Sequence, residues 1–139
     1  MSNFEKVNEL AELPVRGTKN SAGYDLCAVG GYIIPAHGRC LVKTGLTCKM
    51  KNNEYLAIVP RSGLALKQGI TILNTPGTID SDYYPNEIGV ILYNTTDNDF
   101  DVEPGDRIAQ AILKEYKIME NDLVKNKERT SGFGSTGIK

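Results

Sequence analysis

The residues able to do chemistry are concentrated in a few short polar runs. In Gly77-Thr-Ile-Asp80-Ser-Asp82-Tyr83 a carboxylate follows a β-branched apolar residue, so a strand would hold it stiffly and Asp80 is a candidate general base for a water. If the strand continues, alternation puts Asp80 and Asp82 on one face. A plain acidic turn would carry the same letters. Pro60-Arg61-Ser62-Gly63-Leu64-Ala65 sets a guanidinium, a hydroxyl and a glycine at a predicted helix start. Free N–H groups and the dipole at such a terminus suit anions, and Arg61 adds bidentate donors. A surface turn capped by Ser62 explains the run equally well. Ala22-Gly23-Tyr24-Asp25-Leu26 and Gly105-Asp106-Arg107-Ile108-Ala109-Gln110 each hold an acid beside apolar residues, and each says little alone.

Residues 128–139 read Glu-Arg-Thr-Ser-Gly-Phe-Gly-Ser-Thr-Gly-Ile-Lys. They hold too little apolar side chain to build a core, so the expectation is a tail that is mobile when free. A frayed terminus is the ordinary reading of such a tail. Its composition favours an arm that wraps phosphates. Its glycines, Gly134 among them, bare N–H groups, Ser135 and Thr136 add donors, Arg129 adds a fixed charge, and Phe133 could stack on a base. Gly132 to Gly137 match G-x-G-x-x-G in form, but only Ile138 and Lys139 follow, so no dinucleotide-binding helix can be built on them. The single His37 lies in Pro-Ala-His-Gly, a predicted solvated turn, and zinc chemistry lacks its ligands.

The elements that position these runs are short. Gly, Pro and Asn clusters divide apolar stretches at 24–29, 32–34, 40–42, 46–50, 55–59, 70–73, 88–93 and 107–116, the pattern of an all-β sandwich or barrel. Residues 55–59 and 88–93 are apolar throughout, as strands buried on both faces would be. Residues 62–68 predict one short helix between Pro60 and Gly69. With 139 residues the chain fits one domain and needs no disulfide or metal staple. A net charge of -1 argues against nucleic acid as a main partner. No apolar run approaches the about 18–20 residues of a membrane span, and residues 1–10 lack the apolar centre of an export signal. The odd set Cys27, Cys40 and Cys48 reads as free, buried thiols of a reducing compartment. Asn94-Thr95-Thr96 is a glycosylation sequon without an export signal to give it use.

Taken in order, AGYDL at 22–26, PRSGLA at 60–65, GTIDSDY at 77–83, GDRIAQ at 105–110 and RTSGFGSTG at 129–137 closely resemble the five motifs of the dUTPase family. The resemblance covers nearly the whole chain. It implies a jelly-roll-like β-barrel with one short helix, residues 1–127 forming the domain and 128–139 a closing arm. It implies a homotrimer whose three sites each draw on all three chains, with the Asp80 motif and the arm coming from different subunits. The implied reaction is hydrolysis of dUTP to dUMP and pyrophosphate with Mg²⁺, which keeps uracil out of DNA and supplies dUMP for thymidylate synthesis. Asp80 would deprotonate the water that attacks the α-phosphorus. Tyr83 would lie beneath the deoxyribose and exclude a 2′-hydroxyl. Asn74 and the backbone from Gly77 onward would read uracil. Arg61, Ser62, Gly63 and Gln110 would hold phosphates, and Asp25 would hold Mg²⁺ through its waters. Phe133 would stack on uracil while Arg129, Gly134, Ser135 and Thr136 close over the terminal phosphates.

The chain departs from the family at one place. The family pattern Asp-Tyr-Arg-Gly-Glu is here Asp82-Tyr83-Tyr84-Pro85-Asn86-Glu87, one residue longer and without the arginine, which predicts a longer hairpin tip. dCTP deaminases share the fold but require a Glu in the strand that follows, and Gly89-Val-Ile-Leu-Tyr93 carries no carboxylate. A silent nucleotide-binding relative would have lost Asp80 or the arm, and both are present. The expected setting is cytoplasmic or nuclear, without secretion, stable nucleic-acid binding or membrane contact.

Overall fold

The structure, a computed structural model, describes residues 1–125, 129, 132 and 133. The described elements, in chain order, are β1 (Asn3–Lys6), β2 (Val15–Arg16), β3 (Tyr24–Cys27), β4 (Tyr32–Ile34), β5 (Arg39–Lys43), β6 (Leu46–Lys49), β7 (Glu54–Val59), α1 (Ser62–Gln68), β8 (Ile70–Ile72), β9 (Gly77–Asp80), β10 (Gly89–Asn94), β11 (Phe100–Val102) and β12 (Arg107–Glu115), with a single 3-10 turn at Ser81–Tyr83. The fold is therefore all-β with one short helix, as the punctuation predicts. The helix has its predicted bounds. Gly69 ends it in the left-handed region at φ 67°, where a side chain would be strained, and its N–H returns to the Ala65 carbonyl.

Among the described residues every strand pairing is antiparallel. A five-stranded sheet runs β2-β3-β12-β7-β9 and a three-stranded sheet runs β5-β10-β8; β1-β6 and β11-β4 form two ribbons. The core lies between them. Leu26, Leu56, Ile58, Ala109 and Ala111 of the large sheet meet Val42, Ile70, Ile72, Val90 and Leu92 of the smaller one, closed by Leu46, Ile34 and Val102. Fully burying a side chain such as Leu26 or Leu92 contributes about 1.5–3 kcal/mol, which suffices to hold strands with few local contacts.

Several expectations need revision. Residues 88–93 are not covered on both faces: β10 alternates, with Val90, Leu92 and Asn94 buried and Gly89, Ile91 and Tyr93 half-buried. The alternation was hidden because its half-buried positions are also apolar. Asn94, in the sequon expected to have no use, is fully buried. Its Nδ2 donates to the carbonyls of Ile34 (3.0 Å) and Asn98 (2.7 Å), and its Oδ1 accepts from Thr96 N and Oγ1. The three cysteines are free as expected, but only Cys48 is buried; Cys27 and Cys40 are half-buried. His37 does occupy an exposed turn, where its Nε2 lies 2.6 Å from Asp97. Thr75–Pro76 and Tyr84–Pro85 are cis peptides. Among the described residues no helix is long and apolar enough to cross a membrane.

Candidate active site

Strand β9 carries Asp80 to the sheet edge. Its partner β7 fixes the register, with Asp80 opposite Tyr55 and Gly77 opposite Ile58. The strand stops at Asp80, so the expected common face for Asp80 and Asp82 is not made by a continuing strand; the 3-10 turn intervenes. The two carboxylates are instead joined by one cation. Arg129 donates from Nε to Asp82 Oδ1 (2.7 Å) and from Nη2 to Asp80 Oδ2 (2.5 Å). The arm residue thus reaches the Asp80 of its own chain.

Behind Asp80 lies a cavity of about 160 Å³ lined by Asn74, Thr78, Asp80, Tyr83, Gly89 and Phe133, among others. Tyr83 is nearly buried and its hydroxyl donates to the Glu87 carbonyl at 2.5 Å. Burial pushes its phenol above the usual range, the Glu87 carboxylate adds to this, and Arg129 opposes it. Two glycines make room. A Cβ on Gly132 would stand 2.8 Å from Tyr83 Cε1, and one on Gly89 would stand 2.8 Å from Leu41 Cδ1 and 3.6 Å from Phe133 Cζ. Phe133 is exposed and adopts φ 53°. Gly77 is buried in β9, where a Cβ would come 3.2 Å from Ile58 Cβ, and it is absent from the cavity wall.

A second cleft, about 180 Å³, is lined by Asp25, Arg61, Ser62, Gly63 and Gln110. Strands β3 and β12 set Asp25 opposite Gln110, and β12 sets Gln110 opposite Val59 at the end of β7. Arg61 Nε approaches Asp25 Oδ1 at 3.4 Å and Arg107 Nη1 approaches Oδ2 at 3.9 Å. Gln110 Nε2 donates to the Pro60 carbonyl at 3.1 Å. Helix α1 opens at Ser62 after Arg61, with no side-chain cap. Its first-turn N–H groups, which as in any helix have no intrahelical partners, are thus not capped by the Arg61 side chain, which suits phosphate binding. The register of β12 shifts between Arg107 and Ala109, so Ile108 and Ala109 are both buried while Arg107 is exposed and Gln110 half-buried.

Sequence reasoning missed three contributors. Arg107, within GDRIAQ, approaches Asp25 across strands, a contact that its own motif does not signal. Gly23 is needed because a Cβ there would fall 2.3 Å from Gln110 Oε1. Asp82 shares Arg129 with Asp80. Of the arm, Gly134, Ser135 and Thr136 lie outside the described residues.

The two clefts are separate within the chain. Asp80 sits at the first residues of β7 and Arg61 just beyond its last, and six residues of extended strand span about 20 Å.

A carboxylate lining a small cavity, and a cation-lined cleft elsewhere on the same all-β fold, are features suited to a hydrolase of phosphate anhydrides. A sequence model of dUTPase matches residues 9–137. The deoxyuridine 5'-triphosphate nucleotidohydrolase of Wolinella succinogenes is 47% identical, covering 95% of this chain and 91% of its own. That of Paramecium bursaria Chlorella virus 1 is 46% identical over 96% of each chain. The crystal structure of dUTPase from Streptococcus mutans superposes with a TM-score of 0.81 at 31% identity, over 86% of this chain and 99% of that one. The chain belongs to the dUTPase family.

Proposed function

We propose that the protein is a dUTP diphosphatase, hydrolysing dUTP to dUMP and pyrophosphate in a homotrimer. Water, deprotonated by Asp80, attacks the α-phosphorus; the bond from that phosphorus to the bridging oxygen breaks and pyrophosphate leaves. Arg129 engages Asp80 Oδ2, so Oδ1 is the oxygen that takes the proton. Tyr83 walls the deoxyribose, and Asn74 together with the backbone of β9 from Gly77 reads uracil, which Phe133 covers. Arg61, Ser62, Gly63 and Gln110 of a neighbouring subunit bind the phosphates, and Gly134, Ser135 and Thr136 complete the arm. Residues 1–127 are the folded domain in this reading and 128–139 the arm. The setting proposed is cytoplasmic.

Asp25 is the residue that would hold Mg²⁺. Among the described residues no group of three or more His, Cys, Asp or Glu could cage a metal. A single carboxylate in an open cleft suits Mg²⁺, which keeps most of its waters and takes its other ligands from phosphate. Bound there, the ion would neutralise charge on the phosphates and on the departing pyrophosphate. Arg61 and Arg107 hold the Asp25 carboxylate in place and add positive charge of their own.

The observation that carries this reading is that Asp80 lines one cavity together with Asn74 and Tyr83. Pyrophosphate release from dUTP and from dCTP, with Mg²⁺ present, tests it. The expected result is turnover of dUTP alone. Asp80→Asn should lower kcat by about a hundredfold or more and still bind nucleotide. Turnover of dCTP, or near-normal rates from Asp80→Asn, would overturn the reading.

A further inference from the structure

The turn between β9 and β10 carries Tyr84-Pro85-Asn86 where the family has Arg-Gly. It is tied down at several points. Tyr84 OH donates to Glu5 Oε1 of β1 at 2.8 Å, across 79 residues of sequence. Gly45 N donates to Glu87 Oε2 at 2.7 Å, just before β6. Between these anchors Asn86 donates to the Tyr83 carbonyl from its backbone N and from Nδ2, each at 2.9 Å. Tyr83 OH donates in turn to the Glu87 carbonyl. The residue whose ring walls the cavity is thus bonded within the turn, and the turn is fastened to Glu5 of β1 and to Gly45, the residue before β6. Glu5 is itself held in register opposite Thr47.

We propose that Tyr84 is a positioning residue for sugar selection: its hydrogen bond to Glu5 pins the turn to β1 and keeps the Tyr83 ring from receding. This rests on the reading of Tyr83 as the wall beneath the deoxyribose. A wall that excludes a single oxygen discriminates only if it cannot yield, since a small displacement would admit the 2′-hydroxyl. At the Glu87 end the turn is also held by Ile88, which donates to the Leu46 carbonyl and accepts from Thr44; at Tyr84 the bond to Glu5 is what holds it to β1. The Glu5 carboxylate, by accepting the phenol's hydrogen bond, also raises the Tyr84 pKa.

Steady-state kinetics on the full chain with dUTP and UTP test the proposal, using Tyr84→Phe, Glu5→Ala, Glu5→Gln and the double variant Tyr84→Phe/Glu5→Ala. Tyr84→Phe and Glu5→Ala should each reduce the dUTP-over-UTP preference in kcat/KM by about three- to tenfold, the weight of one hydrogen bond. The loss should come from KM, with kcat for dUTP unchanged. Glu5→Gln keeps an acceptor oxygen and should retain the preference, and the double variant should be no worse than either single change. Additive losses, an equal fall in kcat, or wild-type preference in both Tyr84→Phe and Glu5→Ala would overturn the proposal. Tyr83→Ala separates the two levels. If it abolishes the preference while Tyr84→Phe and Glu5→Ala leave it at the wild-type value, the site reading stands and this inference falls; if Tyr83→Ala too leaves the preference intact, the site reading falls and takes this inference with it.

Discussion

Gln110 and Asp80 are registered against the same strand at opposite ends, Gln110 facing Val59 and Asp80 facing Tyr55. In the proposed homotrimer one site draws the two from different subunits.

Complementation between subunits follows from that separation. Asp80→Asn chains and Arg61→Ala chains should each form inactive homotrimers. Unfolded together and refolded at equal ratio, they should recover activity at about a quarter of sites, the chance that each half comes from a competent chain in a closed ring. Steady-state dUTP hydrolysis of the mixture is the measurement, and no recovery from well-folded mixed trimers would return both halves to one chain. The arm needs its own mixture, because Arg129 is seen on the Asp80 of its own chain whereas the family resemblance implies a neighbour's arm. Asp80→Asn mixed with chains lacking residues 128–139 stays dead for an arm acting within its chain and recovers to about a quarter for an exchanged arm.

Gly23→Ala should damage the phosphate half without touching a charged group. The new Cβ would fall 2.3 Å from Gln110 Oε1 and 3.1 Å from Gln110 Cβ and Cδ, so Gln110 must leave its bond to the Pro60 carbonyl. We expect KM for dUTP to rise about tenfold, the scale of one lost and displaced hydrogen bond. Circular dichroism and the melting temperature should remain near wild type. An unchanged KM would show that Gln110 has no part in binding.

Removing residues 128–139 should abolish most turnover, since Arg129 and Phe133 go with them, yet hardly affect stability. Asp80 and Asp82 are half or more exposed, and ion pairs of this kind contribute about 0–1 kcal/mol each. The expected fall in Tm is under about 4 °C for a chain of this size, read by calorimetry. A larger fall would mean that the arm is part of the fold.

Cys48 supplies a pH-dependent prediction. Burial, then the Glu54 and Glu5 carboxylates, push its thiol up from 9.0 to about 11. A raised folded pKa means that the folded state holds the proton more tightly than the unfolded chain does. The resulting stability is full below the unfolded value and declines as pH rises from about 9 to about 11, by up to about 2 kcal/mol. Urea midpoints across that window should fall further for wild type than for Cys48→Ala. In the native state at neutral pH, Cys48 should react with a thiol reagent more slowly than Cys40.

Much of this was legible in the sequence because its signals are local. Pro60 and Gly69 bracket α1, and the apolar runs mark β3 to β8, β10 and β12 to within two residues or so. The missed strands are held by distant partners. β1 carries only one large apolar residue, Phe4, and exists because β6 offers it an edge; β11 is three residues long and pairs with β4. At the site, Asp80, Asp25, Arg61 and Gln110 were named from their motifs, but their division into two clefts depends on which end of β7 each pairs with. Gly23 was invisible for a similar reason: its value lies in the space it leaves for a side chain on another strand.

The irregularity in β12 also governs how the chain can change in length. Arg107 and Gln110 are three residues apart, an interval that a regular strand would send to opposite faces, yet both serve the cleft around Asp25 because the extra residue is absorbed at 108–109. A chain lacking Ile108 or Ala109 would have a straighter strand with both side chains still on the same face. A residue gained or lost elsewhere along β12 would invert everything after it. The longer tip at 84–86 likewise lies in a turn and leaves the alternation of Val90, Leu92 and Asn94 untouched. Insertions and deletions thus obey a map different from that of substitutions, and relatives of this chain should vary in length at these two points while keeping the strands between them in phase.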